Sequence, residues 1–253
     1  MSESTTGERA AADRGAASAG AATAAAAGER PAPIERTIAA RVHGTFLLRP
    51  PAAGEPAALV VGFHGYGETA RDHLGKLERV PGAERWLLCA VQALHPFYTR
   101  SREVVAGWMT KHGREHAIAD NTAYCAAVVA EVLAEHPALA GRLAFIGFSQ
   151  GVAMAYRAAA GLGLPPRALV ALAGDVPPDV LARDPLELPP VLIAAGRDDE
   201  WYGPARMEEE VGRLRERGID ARGLAFAGGH EWTEEFYEVA GEFLAERLAT
   251  EVR

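Results

Sequence analysis

Two short, uninterrupted apolar runs constrain this chain's fold more than any other feature: residues 58–64 (ALVVGFH) and 142–148 (RLAFIGF). A strand with one wet face alternates apolar and polar residues. A run without alternation has to be covered on both faces, as in a parallel sheet between helices. Similar runs recur at 86–94, 168–173 and 191–195, with a shorter one at 224–227 and one or two opening strands at 38–48, interrupted at Gly44. Between them lie helical patterns at 71–80, 115–135, 150–160, 204–217 and 233–248. The fourth has Pro204 at its start and Gly218 just past its end, and the fifth has Thr233 as N-cap. Residues 95–113 read as a loop. Strands alternating with helices imply an α/β fold with a mostly parallel central sheet and helices on both faces.

Residues 34–253 suit one such domain. Residues 1–33 contain nothing apolar larger than Ala after Met1, so they read as a disordered Ala-rich tail. They lack the basic start and leucine-like core of a signal peptide, which makes the cytoplasm the expected compartment. A formal net charge of −8 argues against nucleic acid as a partner. No run reaches the ~18–20 apolar residues of a membrane span. Cys89 and Cys125 read as small core residues. The run Glu208-Glu209-Glu210 with Arg213, Arg215 and Arg217 reads as a solvated helix face. Oligomeric state is not legible.

The chemistry concentrates at Gly147-Phe148-Ser149-Gln150-Gly151, a G-x-S-x-G pattern between an apolar strand and a helix. Such a turn reverses the chain sharply and lifts the serine hydroxyl above the sheet edge. With five serines in the chain, a chance match is roughly one in twenty before that context is counted. A serine hydroxyl needs a base, and one histidine follows it, His230, in Gly228-Gly229-His230 between the last strand and the closing helix. The acid that would orient it is Asp199, three residues after Gly196. Asp198 and Asp175 remain alternatives. An oxyanion hole requires inward-facing amides: Gln150 N–H, and Tyr66 N–H from the loop His64-Gly65-Tyr66-Gly67. Trp108 is expected to wall the substrate pocket, with Tyr66 and Phe97 as further guesses. His112-Gly113-Arg114-Glu115-His116 matches a zinc-peptidase pattern, but Gly113 interrupts it, so no metal is expected.

Taken together, His64-Gly65-Tyr66-Gly67, Gly147-Phe148-Ser149-Gln150-Gly151, Gly196-Arg197-Asp198-Asp199 and Gly229-His230 resemble the phospholipase/carboxylesterase family, which includes acyl-protein thioesterases. The similarity covers roughly residues 58–248. The resemblance implies an α/β-hydrolase fold without a large cap. It also implies a cofactor-free serine hydrolase acting on small acyl esters or thioesters, with Ser149, Asp199 and His230 as triad and Tyr66 and Gln150 as oxyanion donors. The chain departs from the family at Gly107-Trp108-Met109-Thr110, where an aromatic–acidic pair often follows the tryptophan, and at Gly151-Val152, where the family has a double glycine. Both changes bear on the acyl pocket rather than the triad. A peptidase or lactone hydrolase would use the same triad, and a non-catalytic ligand-binding protein could share the fold.

Overall fold

In a computed structural model, residue 30 and residues 32–249 are described. The chain divides into two units, Met1–Ala40 and Arg41–Arg253. The described residues of the first unit form neither helix nor strand. Apart from residues 30, 32 and 33, the tail expected over 1–33 lies outside the described residues.

The second unit is built on a seven-stranded sheet. In chain order the elements are β1 (Phe46–Arg49), β2 (Leu59–Phe63), α1 (Ala70–Leu77), β3 (Leu87–Val91), β4 (His95–Tyr98), β5 (Val104–Gly107), α2 (Arg114–Glu135), β6 (Leu143–Phe148), α3 (Gln150–Gly161), β7 (Ala168–Leu172), α4 (Pro178–Leu181), β8 (Val191–Gly196), α5 (Pro204–Glu216), β9 (Ala221–Phe226) and α6 (Glu234–Leu248). The sheet order is β1-β3-β2-β6-β7-β8-β9. Within this sheet, among the described residues, only the β1–β3 pair is antiparallel.

The apolar runs of β2, β3, β6, β7 and β8 are buried on both faces, as their lack of alternation requires, whereas the edge strand β9 is partly exposed. Leu59, Val61, Phe63, Leu143 and Phe145 face one core cluster, shared with α2, α3 and α5. Val60, Ala144, Ile146 and Phe148 face the other, shared with α1 and α6. No large cap is inserted among the described residues. Cys89 and Cys125 are free, buried thiols in the first cluster, and burial pushes the Cys89 thiol up to about 12.

Three departures from the sequence reading have local causes. The opening stretch forms a single strand that begins at Phe46 rather than Ile38: residues 38–45 lie outside helix and strand, and Thr45 O accepts from Gln92 N–H (2.9 Å) and from the Tyr124 hydroxyl of α2 (2.6 Å). The supposed loop 95–113 contains a two-stranded antiparallel ribbon, β4–β5. Its strands are four residues each, too short for periodicity to register. Finally, α2 reaches membrane-span length and apolarity, with a mean hydropathy of 1.3 in its best window. Its apolar residues Cys125, Val128, Val129 and Val132 instead pack into the first core cluster, a use of apolarity that composition alone does not distinguish.

Candidate active site

Ser149 sits between β6 and α3 at φ 51°, ψ −122°, a conformation that costs a non-glycine residue of order 1–3 kcal/mol. The surroundings enforce it. Ser149 N–H donates to Leu172 O of β7 (2.8 Å), and Ser149 O accepts from Val152 N–H (3.0 Å). A Cβ on Gly151 would stand 2.1 Å from Phe63 O, and one on Gly147 would stand 2.6 Å from the Val152 Cα. Glycine at both positions is therefore a packing requirement of the turn.

The acid and the histidine arrive from the ends of the next strands. After β8 the chain turns through Asp199, whose side chain is fully buried. Its Oδ1 accepts from Trp201 N–H (2.8 Å) and Tyr202 N–H (3.0 Å). Its Oδ2 lies 2.8 Å from His230 Nδ1. Gly228, after β9, accepts from Asp198 N–H after β8 (2.9 Å), tying the two loops together. The His230 ring then places Nε2 2.8 Å from Ser149 Oγ. With Nδ1–H donating to the carboxylate, Nε2 is the acceptor for the serine hydroxyl. Of the two alternative acids, Asp198 is exposed and Asp175 is engaged by Arg206 at 2.5 Å.

Of the two expected oxyanion donors, Gln150 follows Ser149 directly and Tyr66 lies in the loop after β2. As first residue of α3, Gln150 has an amide without an intrahelical acceptor. In the loop after β2, Gly65 N–H donates to Glu68 Oε2 (2.9 Å), Gly67 N–H to Ala106 O (2.9 Å) and Glu68 N–H to Gly65 O (3.4 Å). Among the described residues, the Tyr66 amide is committed to none of these partners. The Tyr66 ring is 56% exposed and stacks on Phe97 at 5.0 Å, so both of these aromatic guesses lie on the β4–β5 ribbon side of the loop.

Trp108 is a correction. It is 0% exposed and is not among the residues that line the cavity beside Ser149. Its Nε1–H donates to His64 O (2.8 Å), and its ring packs edge-on against Phe63. It braces the loop that carries Tyr66. His64 completes the brace: Nδ1–H donates to Gly65 O (2.7 Å) and Nε2 accepts from Ala93 N–H (3.1 Å). Burial lowers the His64 pKa and keeps the ring neutral for both roles.

Sequence reasoning missed several contributors. The Gln150 side chain accepts from Trp108 N–H (2.7 Å) and donates to Met109 O (2.9 Å), fastening the β5–α2 connection to the serine turn. Glu210 is another correction: expected on the solvated face of α5, it is 5% exposed. It accepts from Tyr202 O–H (2.6 Å) and Val176 N–H (3.1 Å), joining the acid loop to the segment after β7. Burial raises its pKa. A cavity of about 370 Å³ opens beside Ser149 and His230, with Met109, Ala153, Arg157 and Trp201 among its walls. The spacing Ser149, Ala153, Arg157 along α3 was the available signal for this wall. At the zinc-like pattern, α2 begins only at Arg114, so His112 lies before the helix and His116 within it. Among the described residues, no cluster of three His, Cys, Asp or Glu is arranged to hold a metal.

A strained serine turn between a parallel strand and a helix, with the Asp199 and His230 loops after the last two strands of a doubly covered sheet, defines the α/β-hydrolase fold. Solved structures with this fold include esterase PE8, 26% identical, matched over 81% of this chain and 100% of that one with a TM-score of 0.67. The Bacillus cereus carboxylesterase is 18% identical over 81% of this chain and 94% of that one (TM-score 0.64). Zea mays acyl-protein thioesterase 2 is 19% identical over 82% and 100% (TM-score 0.59). These are proteins of the kind that the motifs resemble. No protein-family profile and no curated protein matches the chain.

Proposed function

We propose that this protein is a serine esterase or thioesterase that hydrolyses small acyl substrates through an acyl-enzyme on Ser149. The observation that carries the reading is the continuous hydrogen-bond chain from Ser149 Oγ through His230 to Asp199, 2.8 Å at each step, on a backbone turn held under strain. Esterase and thioesterase activities of the structurally similar proteins point the same way.

In this mechanism His230 Nε2 takes the Ser149 proton as Oγ attacks the substrate carbonyl carbon. The resulting oxyanion is held by the Tyr66 and Gln150 amides. Asp199 keeps the imidazole in the productive tautomer and stabilises its cation. The tetrahedral adduct collapses, and His230 hands its proton to the departing alcohol or thiol. Water, deprotonated by His230, then attacks the acyl-serine. The carboxylic acid leaves and Ser149 regains its proton. The test is turnover of a short p-nitrophenyl ester by Ser149→Ala. We expect a loss of about 10³-fold or more with an unchanged circular dichroism spectrum. Wild-type turnover in that variant contradicts the proposal.

A further inference from the structure

Resting on the serine-hydrolase reading, we infer that the cavity beside Ser149 selects an acyl group ending in a carboxylate, such as a monoester or monothioester of a short dicarboxylic acid, held by Arg157 with Arg114 at the rim.

An acyl pocket built for plain hydrocarbon would be lined by apolar side chains, yet two arginines line this one. Arg157 is the unusual one. Its side chain is only 4% exposed, and arginine is almost never buried unless fully paired. Asp179 takes one edge of the guanidinium, through Nε–H (2.9 Å) and Nη2–H (2.7 Å). Nη1 is buried and, among the described residues, has no hydrogen-bond partner. Five N–H groups point outward from a guanidinium and Asp179 uses two. That leaves the second Nη2–H and both Nη1–H groups without a partner among the described residues, and a planar anion pairs with that edge once the wall over the solvent-closed Nη1 gives way. A buried cationic N–H without a partner is costly, so a ligand carboxylate has a large differential to recover.

Position and potential agree with this. Ser149, Ala153 and Arg157 are spaced by four along α3 and all three line the cavity. The helix rises roughly 12 Å over those eight residues, and arginine side chains lean back toward the N-terminus. The remaining gap between serine and guanidinium suits an acyl chain of about five or six carbons. Arg114 is the first residue of α2 and lines the same cavity, so its charge adds to the positive end of a 22-residue helix instead of opposing it. Among the described residues, no carboxylate lies within ion-pair distance of Arg114. The one acidic residue in the wall, Asp175, is already paired with Arg206. The balance facing a substrate is therefore positive, although the chain as a whole carries −8.

The experiment compares mono-p-nitrophenyl glutarate and adipate with their methyl-capped counterparts, corrected for spontaneous hydrolysis. In wild type the acid-ended esters should have a kcat/KM at least about tenfold above the capped ones, as expected for a paired, desolvated carboxylate. That ratio should fall toward one in Arg157→Met and partway in Arg114→Met. A wild-type ratio of one or less, or a ratio unchanged in both variants, overturns the inference. Arg157→Lys and the exposed Arg114→Met carry the comparison if Arg157→Met does not fold. Binding separates this idea from the mechanism beneath it. Glutarate should raise the melting temperature of Ser149→Ala but not of Ser149→Ala/Arg114→Met/Arg157→Lys. That pattern without hydrolysis of any ester would leave the anion site standing while the serine mechanism fails. No shift in Ser149→Ala removes the anion site.

Discussion

At Asp199, three hydrogen bonds converge on one buried carboxylate, two from backbone amides and one from His230. The alternative acid, Asp175, has its charge met by Arg206, and burial raises its pKa while Arg206 draws it back. The two acids should separate cleanly on mutation. Asp199→Asn leaves shape but reverses the demand on His230 Nδ1, so kcat should fall about 10²–10⁴-fold. Asp175→Asn should cost less than about tenfold. Steady-state kinetics on one short ester decides it, and the reverse order would move the acid to the loop after β7. The placement of Ser149, His230 and Asp199 was legible because each follows an apolar run that can only be a strand end. Trp108 and Arg157 were not legible. A tryptophan or an arginine reads as pocket or surface until the residues facing it are known, and those come from elements distant in sequence.

Between elements, α3 is more than a support for the serine. Through the Gln150 side chain it grips the backbone at Trp108 and Met109, and through Gly151 it presses against the end of β2. The β4–β5 ribbon grips from the other side: Ala106 exchanges backbone hydrogen bonds with Gly67 and Glu68, 2.9 and 3.0 Å. The loop bearing Tyr66 is thus held between a helix terminus and a small ribbon. Gln150→Met keeps the bulk but removes both grips, at a cost of about 1–2 kcal/mol in stability. Amide exchange at Trp108 should accelerate and kcat/KM should fall about tenfold, since displaced donors weaken oxyanion binding. Unchanged exchange would mean that the connection is held by other contacts. The long elements were readable from periodicity, whereas this ribbon was not. Its stability comes from pairing with the loop after β2, a long-range contact that a four-residue strand does not advertise.

At the scale of the whole molecule, the two faces of the sheet bury two histidines. Burial lowers the pKa of both His64 and His73 from 6.5, and that of His73 strongly. His73 sits on α1 with neither ring nitrogen hydrogen-bonded among the described residues. In the folded state both resist protonation, while the unfolded chain takes up protons near the ordinary value. The unfolded state therefore binds more protons as the pH falls, and stability declines with acidification. Between about pH 7.5 and pH 6 the loss should be roughly 1–1.5 kcal/mol, read from urea midpoints, and His73→Phe should recover about half of it. A flat profile would mean that these imidazoles accept protons in place.

The proposed mechanism turns on the Ser149 hydroxyl, and a fluorophosphonate probe interrogates it most directly. Incubation at neutral pH followed by mass spectrometry of the digested protein should find one adduct, on the peptide containing Ser149. The adduct should be absent from Ser149→Ala and slowed by about 10³-fold or more in His230→Ala. Labelling at another residue, or an unmodified Ser149 in folded wild-type protein, would contradict the account.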